Sequence, residues 1–258
     1  MVDRESCTSD SGIASYRCWY EKSYDAIERA CRSLEHPFGF NPPLLNSVEA
    51  LAAQPRVLVA TLNPAGSVDY PDHRGRYRYE GLNAYLDIDW NGYGAGQSPL
   101  QRQMQGVFEH LRRRICGSPI DSITFARSRV VTAQLIPFRS PSDTTLYRRV
   151  ESVALARSVW ADLFRIWLPS TAVTVGATTA QELGVLLGAV EREDSLPIGW
   201  GRYRMTLREF SCGTRLLALP HLSRFAILGR SQSEPYLNEA FDWVARHTCP
   251  NGGVRVWP

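Results

Sequence analysis

The chain has 258 residues, of which 44% are hydrophobic and 21% are charged, and this balance is typical of a soluble globular protein. No apolar run approaches the about 18 residues that a membrane-spanning helix needs. The first twelve residues are polar and lack the apolar core of a secretory signal. We therefore expect one cytoplasmic domain over residues 1–258, long enough to bury a core without disulfides.

Basic and acidic residues nearly cancel, with 29 Lys and Arg against 26 Asp and Glu, for a net charge of +3. Lys22 is the single lysine, so the other 28 basic residues are arginines. Any attraction for nucleic acid must then come from local clusters of arginine. The six cysteines show no C-x-x-C pair, which predicts reduced thiols, no cofactor, and neither a metal site nor an iron–sulfur cluster.

The chain begins with an N-terminal helical part over residues 15–54. Apolar residues recur at helical spacing over residues 15–34, and Pro37 stops this helix because proline disfavours helical geometry in the residue before it. Residues 56–62 then form a short, β-branched and almost wholly apolar run, which predicts a strand buried on both faces.

Residues 67–97 follow this strand without a clear period. They hold six aromatic residues, five glycines and three arginines. A loop of this length in a compact domain is usually functional, and its aromatic content argues against disorder. The segment is either an insertion that stacks on bases or a flap that packs over the sheet.

The middle of the chain alternates helix and strand. Residues 99–115 predict a helix and residues 130–136 a second buried strand. From Leu146 to Trp167 apolar residues recur at steps of three and four, so we expect a long helix with Ser142 or Asp143 as its N-cap.

The last third repeats the pattern. Thr171–Val175 and Arg215–Leu219 predict two more buried strands, Ala177–Leu187 and Glu234–Ala245 predict helices, and residues 199–212 alternate like a small antiparallel ribbon. Buried strands between amphipathic helices indicate a parallel sheet that is covered on both faces. The predicted fold is an α/β, three-layer α/β/α sandwich with a central, mainly parallel four-stranded sheet.

The residues that follow the four strands carry the chemistry, because ligands bind at the carboxyl ends of parallel strands. Asn63-Pro64 follows the first strand, Gln134 ends the second, Gly176 follows the third, and His221 follows the fourth. Amides, hydroxyls and a histidine can position a water and bind a planar polar ligand, but they are poorly suited to binding a metal.

This set resembles the motifs of the uracil-DNA glycosylase superfamily over roughly residues 55 to 245. Leu62-Asn63-Pro64 is similar to the first motif of its mismatch-specific and single-strand-selective branches, and His221-x-Ser223 resembles the second. The resemblance implies that Asn63 positions the attacking water and that His221 stabilises the departing base. It also implies that Gln134 reads the base and that the partner is DNA, bound by a monomer.

The DNA contacts that this hypothesis implies surround the same strand ends. The extruded base would stack on Tyr70, lie beside Pro64 and be read by Gln134, as a flipped nucleotide requires. Contacts with the DNA backbone are expected from Gly66, Ser67, Arg139, Ser140, Ser142, Ser223 and Arg224. A wedge in place of the missing base is expected from Leu222, Arg224 and Phe225.

Several positions depart from the family pattern. Thr61 and Ala65 replace the glycines that usually flank the Asn-Pro, and Leu222 replaces the proline of the second motif. Gln134 is longer than the usual Asn, and the tyrosine that excludes thymine from uracil enzymes is missing. These changes surround the base pocket, so a bulky or modified base is expected, including the glycosylated hydroxymethylcytosine of some phages. The enzyme would then serve defence rather than repair.

Each candidate residue also has a purely structural interpretation. Asn63 could begin a turn, His221 could be a hydrogen-bonded histidine in a buried turn, and Gln134 could only tie strand ends together. The whole chain could be a catalytically inert DNA- or nucleotide-binding module on the same scaffold. A small-molecule hydrolase is disfavoured because neither a G-x-S-x-G elbow nor a carboxylate pair is present.

Overall fold

The computed structural model describes residues 10–66, 74–90, 92–115 and 120–246. Within these residues the chain forms seven α-helices and one sheet of six strands. The helices are α1 (Asp10–Ser33), α2 (Ala84–Asp87), α3 (Pro99–Arg114), α4 (Ser122–Ser128), α5 (Arg149–Ile166), α6 (Ala177–Leu187) and α7 (Glu234–Ala245). The strands are β1 (Val57–Thr61), β2 (Val130–Gln134), β3 (Thr171–Val175), β4 (Val190–Pro197), β5 (Arg204–Phe210) and β6 (Arg215–Leu219).

The sheet has the order β2-β1-β3-β6-β5-β4. The four strands expected from the sequence are the four parallel ones, and β5 and β4 extend the sheet as an antiparallel hairpin. The prediction of a four-stranded sheet was therefore wrong. The first strand of the hairpin was not predicted from the sequence, because Val190–Pro197 is mostly polar and is exposed or half-exposed, so it shows no apolar face.

Helices cover both faces of the sheet. Leu58 and Ala60 of β1 share one buried cluster with α1, α5 and α6, whereas Val57 and Val59 share a second with α3, α4 and α7. This division follows from the alternation of side chains along a strand. Each fully buried Leu or Val side chain stabilises the fold by about 1.5–3 kcal/mol relative to an exposed one.

An extended segment, residues 40–46, lies along the outer edge of β2. Leu45 N donates to Thr132 O at 2.8 Å, and Thr132 N donates to Asn46 Oδ1 at 3.0 Å. In the expected helical part, 15–54, only α1 and a 3-10 turn at Val48–Ala52 are helical. The prolines at positions 42 and 43 explain the difference, because they remove backbone donors and disfavour helix.

The N-terminus of α5 also differs from the prediction. The helix begins at Arg149 after Arg148, which has a left-handed backbone with φ 46, and neither Ser142 nor Asp143 is its N-cap. Asp143–Thr145 instead forms a separate 3-10 turn, in which the Thr145 hydroxyl accepts from Ser142 N at 3.1 Å. Among the helices described, none combines the length and apolarity needed to span a bilayer.

Candidate functional site

The four parallel strands end at one edge of the sheet, and their order fixes the order of the candidate residues. Gln134 belongs to β2, Asn63 follows β1, Gly176 follows β3 and His221 follows β6. Neighbouring strands lie about 4.8 Å apart, so the row from β2 to β6 is about 14 Å long. The structure therefore brings the predicted strand-end residues to one edge.

The Asn63-Pro64 loop runs beside the loop after β2. Ile136 N donates to Leu62 O at 2.7 Å, and Ser140 N donates to Pro64 O at 3.0 Å. Asn63 is half-buried, and its Nδ2 donates to Pro64 O at 3.1 Å. The amide group is thereby oriented by its own turn.

Arg139 ties these two loops together. Its side chain is largely buried, and Nη2 donates to Ala65 O at 2.7 Å. Gly66 has φ +111, and a Cβ built there would lie 2.6 Å from the same Nη2. A side chain at position 66 would strain the backbone and push against this guanidinium. The burial of Arg139 argues against its predicted role in binding a phosphate.

The hydroxyls of Ser140 and Ser142 both contact the hydroxyl of Thr145. Ser140 is 1% exposed, and its Oγ lies 3.2 Å from Thr145 Oγ1. Ser142 is exposed, with Oγ 2.9 Å from Thr145 Oγ1 and 3.0 Å from Thr144 Oγ1. Of Ser140 and Ser142, only Ser142 is exposed enough to reach a phosphate.

Gln134 has an amide partner that the sequence did not reveal. Asn41 Nδ2 donates to Gln134 Oε1 at 2.9 Å, and the two side chains are 5% and 6% exposed. Asn41 N donates to Pro137 O at 2.9 Å, which anchors the asparagine at this edge. Asn41 Oδ1 is buried and has no hydrogen-bond partner among the described residues. The sequence signal that could have identified Asn41 is the dipeptide Asn41-Pro42, which has the same pattern as Asn63-Pro64.

His221 lies in a tight turn after β6. Its Nδ1 is 2.7 Å from Ser223 Oγ, and its carbonyl accepts from Arg224 N at 2.9 Å and Phe225 N at 3.1 Å. The side chain is exposed, and its Cδ2 would be 3.9 Å from a Cβ built on Gly176. Partial burial of the ring, and then the charge of Arg224, lower the pKa of His221 below its usual value. The ring is therefore neutral at pH 7.

The three residues predicted to form the wedge differ in exposure. Leu222 is 1% exposed and belongs to the same buried cluster as α7. Arg224 is exposed, and Phe225 is half-buried. A wedge has to reach solvent before it enters the duplex, so the burial of Leu222 argues for packing and leaves Arg224 and Phe225 as candidates.

The described part of the aromatic insertion packs on the protein. Arg76 pairs with Glu21 and Asp25 of α1. Tyr79 is 2% exposed, and Tyr85 is fully buried with its hydroxyl 3.1 Å from Thr61 Oγ1. Residues 74–90 therefore pack against α1 and the end of β1, whereas Tyr77 and Tyr93 are each 58% exposed.

Two predicted contacts in this insertion, Ser67 and Tyr70, lie outside the described residues. Within the described residues no three His, Cys, Asp or Glu side chains come together as a possible metal site. No model of a known protein family matches this chain, and no curated protein matches its sequence.

Proposed function

We propose that this chain is a monofunctional DNA glycosylase of the uracil-DNA glycosylase type, acting on a modified or damaged base. One observation carries the proposal: Asn63 and His221 lie at the same edge of the sheet, separated by β3 alone. Their strands are about 10 Å apart. A sugar bound between them would have a water held on one side and a hydrogen-bond donor on the other.

The neutral state of His221 suits the chemistry proposed for it. When the Ser223 hydroxyl donates to Nδ1, the ring proton stays on Nε2, which becomes a donor. Water attacks C1′ of the sugar, the N-glycosidic bond breaks, and its electron pair leaves with the base. The Nε2–H donor stabilises that anion, while the water gives up its proton to solvent. Donors preorganised for developing charge supply much of the rate enhancement in many enzymes.

The buried amide pair supports base recognition. Asn41 donates to the side-chain carbonyl of Gln134. The N–H groups of the Gln134 amide then remain as donors for a ligand, and Asn41 Oδ1 remains as an acceptor. A base edge that offers an acceptor and a donor side by side complements them. A modified cytosine, such as the glycosylated hydroxymethylcytosine of phage DNA, has N3 and the N4 amine in that arrangement.

An activity panel tests the proposal. Single-stranded and duplex oligonucleotides that contain uracil, a thymine mismatch, hypoxanthine or modified phage cytosines are incubated with the protein and then treated with alkali. We expect strand cleavage only after alkali, and only with a subset of modified bases. Wild-type protein that leaves every substrate intact would refute the proposal, and a strict preference for uracil would refute the modified-base substrate.

A catalytically inert DNA-binding module is the second candidate. Two side chains predicted to bind DNA already form hydrogen bonds within the protein, which favours this alternative. Asn41 donates to the carbonyl of Gln134, and the Arg139 guanidinium donates to Ala65 O. Tight binding to modified DNA without base release in the same panel would support this alternative.

A further inference from the structure

The turn between β4 and β5 lies at the same edge of the sheet as His221. Strand β6 runs parallel to β3 and ends at that edge, so the antiparallel β5 begins there and β4 ends there. Pro197 pairs with Arg204 to close the hairpin. Residues 198–203 therefore extend the row of strand ends beyond β6, about 5 Å further along the sheet.

This turn is anchored to the rest of the fold. Ile198 is fully buried, and its N donates to Tyr203 O at 3.1 Å. Gly199 has φ +69, and a Cβ built there would lie 2.2 Å from Gln232 O. The backbone of the turn therefore rests directly on the segment before α7, and Trp200 and Tyr203 are still 36% and 53% exposed.

The exposed aromatic rings are joined to the loop that carries His221. The ring centroids of Tyr203 and Phe225 are 4.3 Å apart, and those of Trp200 and Phe225 are 5.9 Å apart. The guanidinium carbon of Arg230 lies 4.5 Å from the centroid of Trp200. Arg202 and Arg224 are exposed beside them. The surface is thus continuous with the candidate site and combines aromatic rings with positive charge.

We infer that Trp200 and Tyr203 form a stacking platform for unpaired DNA bases next to the extruded nucleotide. Aromatic rings interleaved with arginines bind single-stranded nucleic acid, because bases stack on the rings and phosphates pair with the cations. A turn whose backbone is already anchored by packing has less conformational freedom to lose on binding. DNA is chosen as the ligand on the basis of the proposed function.

The position of the platform fixes which bases it takes. Strand β5 is about 5 Å from β6 and about 14 Å from β1. Bases in an extended strand follow one another every few ångströms, so the platform lies one or more nucleotides away from a sugar held between Asn63 and His221. It therefore takes flanking bases and leaves the extruded base to the amide pair.

The test measures binding of the full chain to a fluorescein-labelled single strand of mixed sequence, and to the matching duplex, by fluorescence anisotropy. Trp200→Ala and Tyr203→Ala should each weaken single-strand binding roughly 5- to 150-fold. Trp200→Phe and Tyr203→Phe keep a stacking ring and should stay close to wild type. Val190→Ala removes an exposed apolar side chain at the opposite end of the same hairpin and is the control.

The outcomes separate this inference from the glycosylase proposal. Unchanged single-strand affinity in folded Trp200→Ala and Tyr203→Ala, or no binding by wild type, overturns the platform even if base release is observed. A loss of affinity in a protein that releases no base supports the platform and refutes the glycosylase. If the two variants change only the self-association of the protein, measured by sedimentation, the surface binds a second copy of the chain and the inference fails.

Discussion

Replacing His221 with alanine tests the proposed chemistry most directly. The side chain is exposed, and among the described residues its ring forms one hydrogen bond, the 2.7 Å contact with Ser223 Oγ, so little of the core depends on it. Loss of that bond should cost about 0.5–1.5 kcal/mol of unfolding free energy. In a chain of this size such a loss lowers the thermal midpoint by only a few degrees.

The effect on the rate should be much larger. Removing one preorganised donor from a site of developing negative charge typically lowers the rate by about 10²–10³. Ser223→Ala should give a smaller loss, because the ring proton is then divided between Nδ1 and Nε2 instead of being kept on Nε2. Ser231→Ala removes an exposed hydroxyl further along the same loop and should have no effect.

The assay is single-turnover base release from whichever oligonucleotide the activity panel identifies, with affinity for the same DNA measured in parallel. We expect His221→Ala to lower the rate and leave the affinity near that of wild type. A His221→Ala protein with a normal rate, or one that loses folding and rate together, would refute the assignment of His221 as the donor.

The lowered pKa of His221 makes the free energy of unfolding depend on pH. Because the folded protein holds the ring neutral, the unfolded chain binds more protons just below the usual histidine pKa. The neutral ring of His221 therefore contributes its full stabilisation of the folded protein above about pH 6.5, and this contribution is lost as the pH falls below that value. The difference in thermal midpoint between wild type and His221→Ala should therefore shrink from pH 8 to pH 5. A difference that grows instead would contradict the neutral ring.

Three further predictions concern the loops and the reaction type. Asn41→Ala leaves the glutamine carbonyl at the end of β2 buried without its donor, which should cost about 1–3 kcal/mol of unfolding free energy and alter the base preference in the activity panel; an unchanged preference would reduce Asn41 to a structural role. Gly66→Ala should lower the urea midpoint because it forces a Cβ against a guanidinium at positive φ, whereas Gly12→Ala, with open space around it, should not. Borohydride should trap no covalent protein–DNA adduct, because Lys22 is the single lysine and lies exposed on α1; an adduct that disappears on Lys22→Ala would refute a monofunctional mechanism.

The parallel part of the sheet could be predicted because its signals are local. Thr171–Val175 and Arg215–Leu219 were predicted to the residue, since buried parallel strands are short apolar runs with sharp ends. Val190–Pro197 could not be predicted in this way, because an exposed edge strand lacks an apolar period. The predicted N-cap of α5 was wrong because the hydroxyl groups that precede the helix form local hydrogen bonds with neighbouring residues instead of capping it.

The sequence could predict that the candidate residues share one edge of the sheet, but not how deeply each is buried or what it contacts. The rule that ligands bind at the carboxyl ends of parallel strands was enough to select Asn63 and His221. Burial decides the rest, and burial is set by distant segments: the loop after β1 encloses Arg139, and residues 40–46 supply Asn41. Leu222 was expected at the surface from its place in a motif, yet it packs into the core with α7.

The two outer strands of the sheet are protected from further pairing by different means. Along β2, the proline-containing segment 40–46 occupies the backbone groups that an added strand would use. Along β4, Glu191, Arg192, Glu193 and Asp194 are all exposed. Charged edge strands resist the edge-to-edge association that leads to aggregation. The hairpin that carries the aromatic turn thus extends the sheet with a charged edge that resists further strand pairing, while the turn at its end presents exposed aromatic rings.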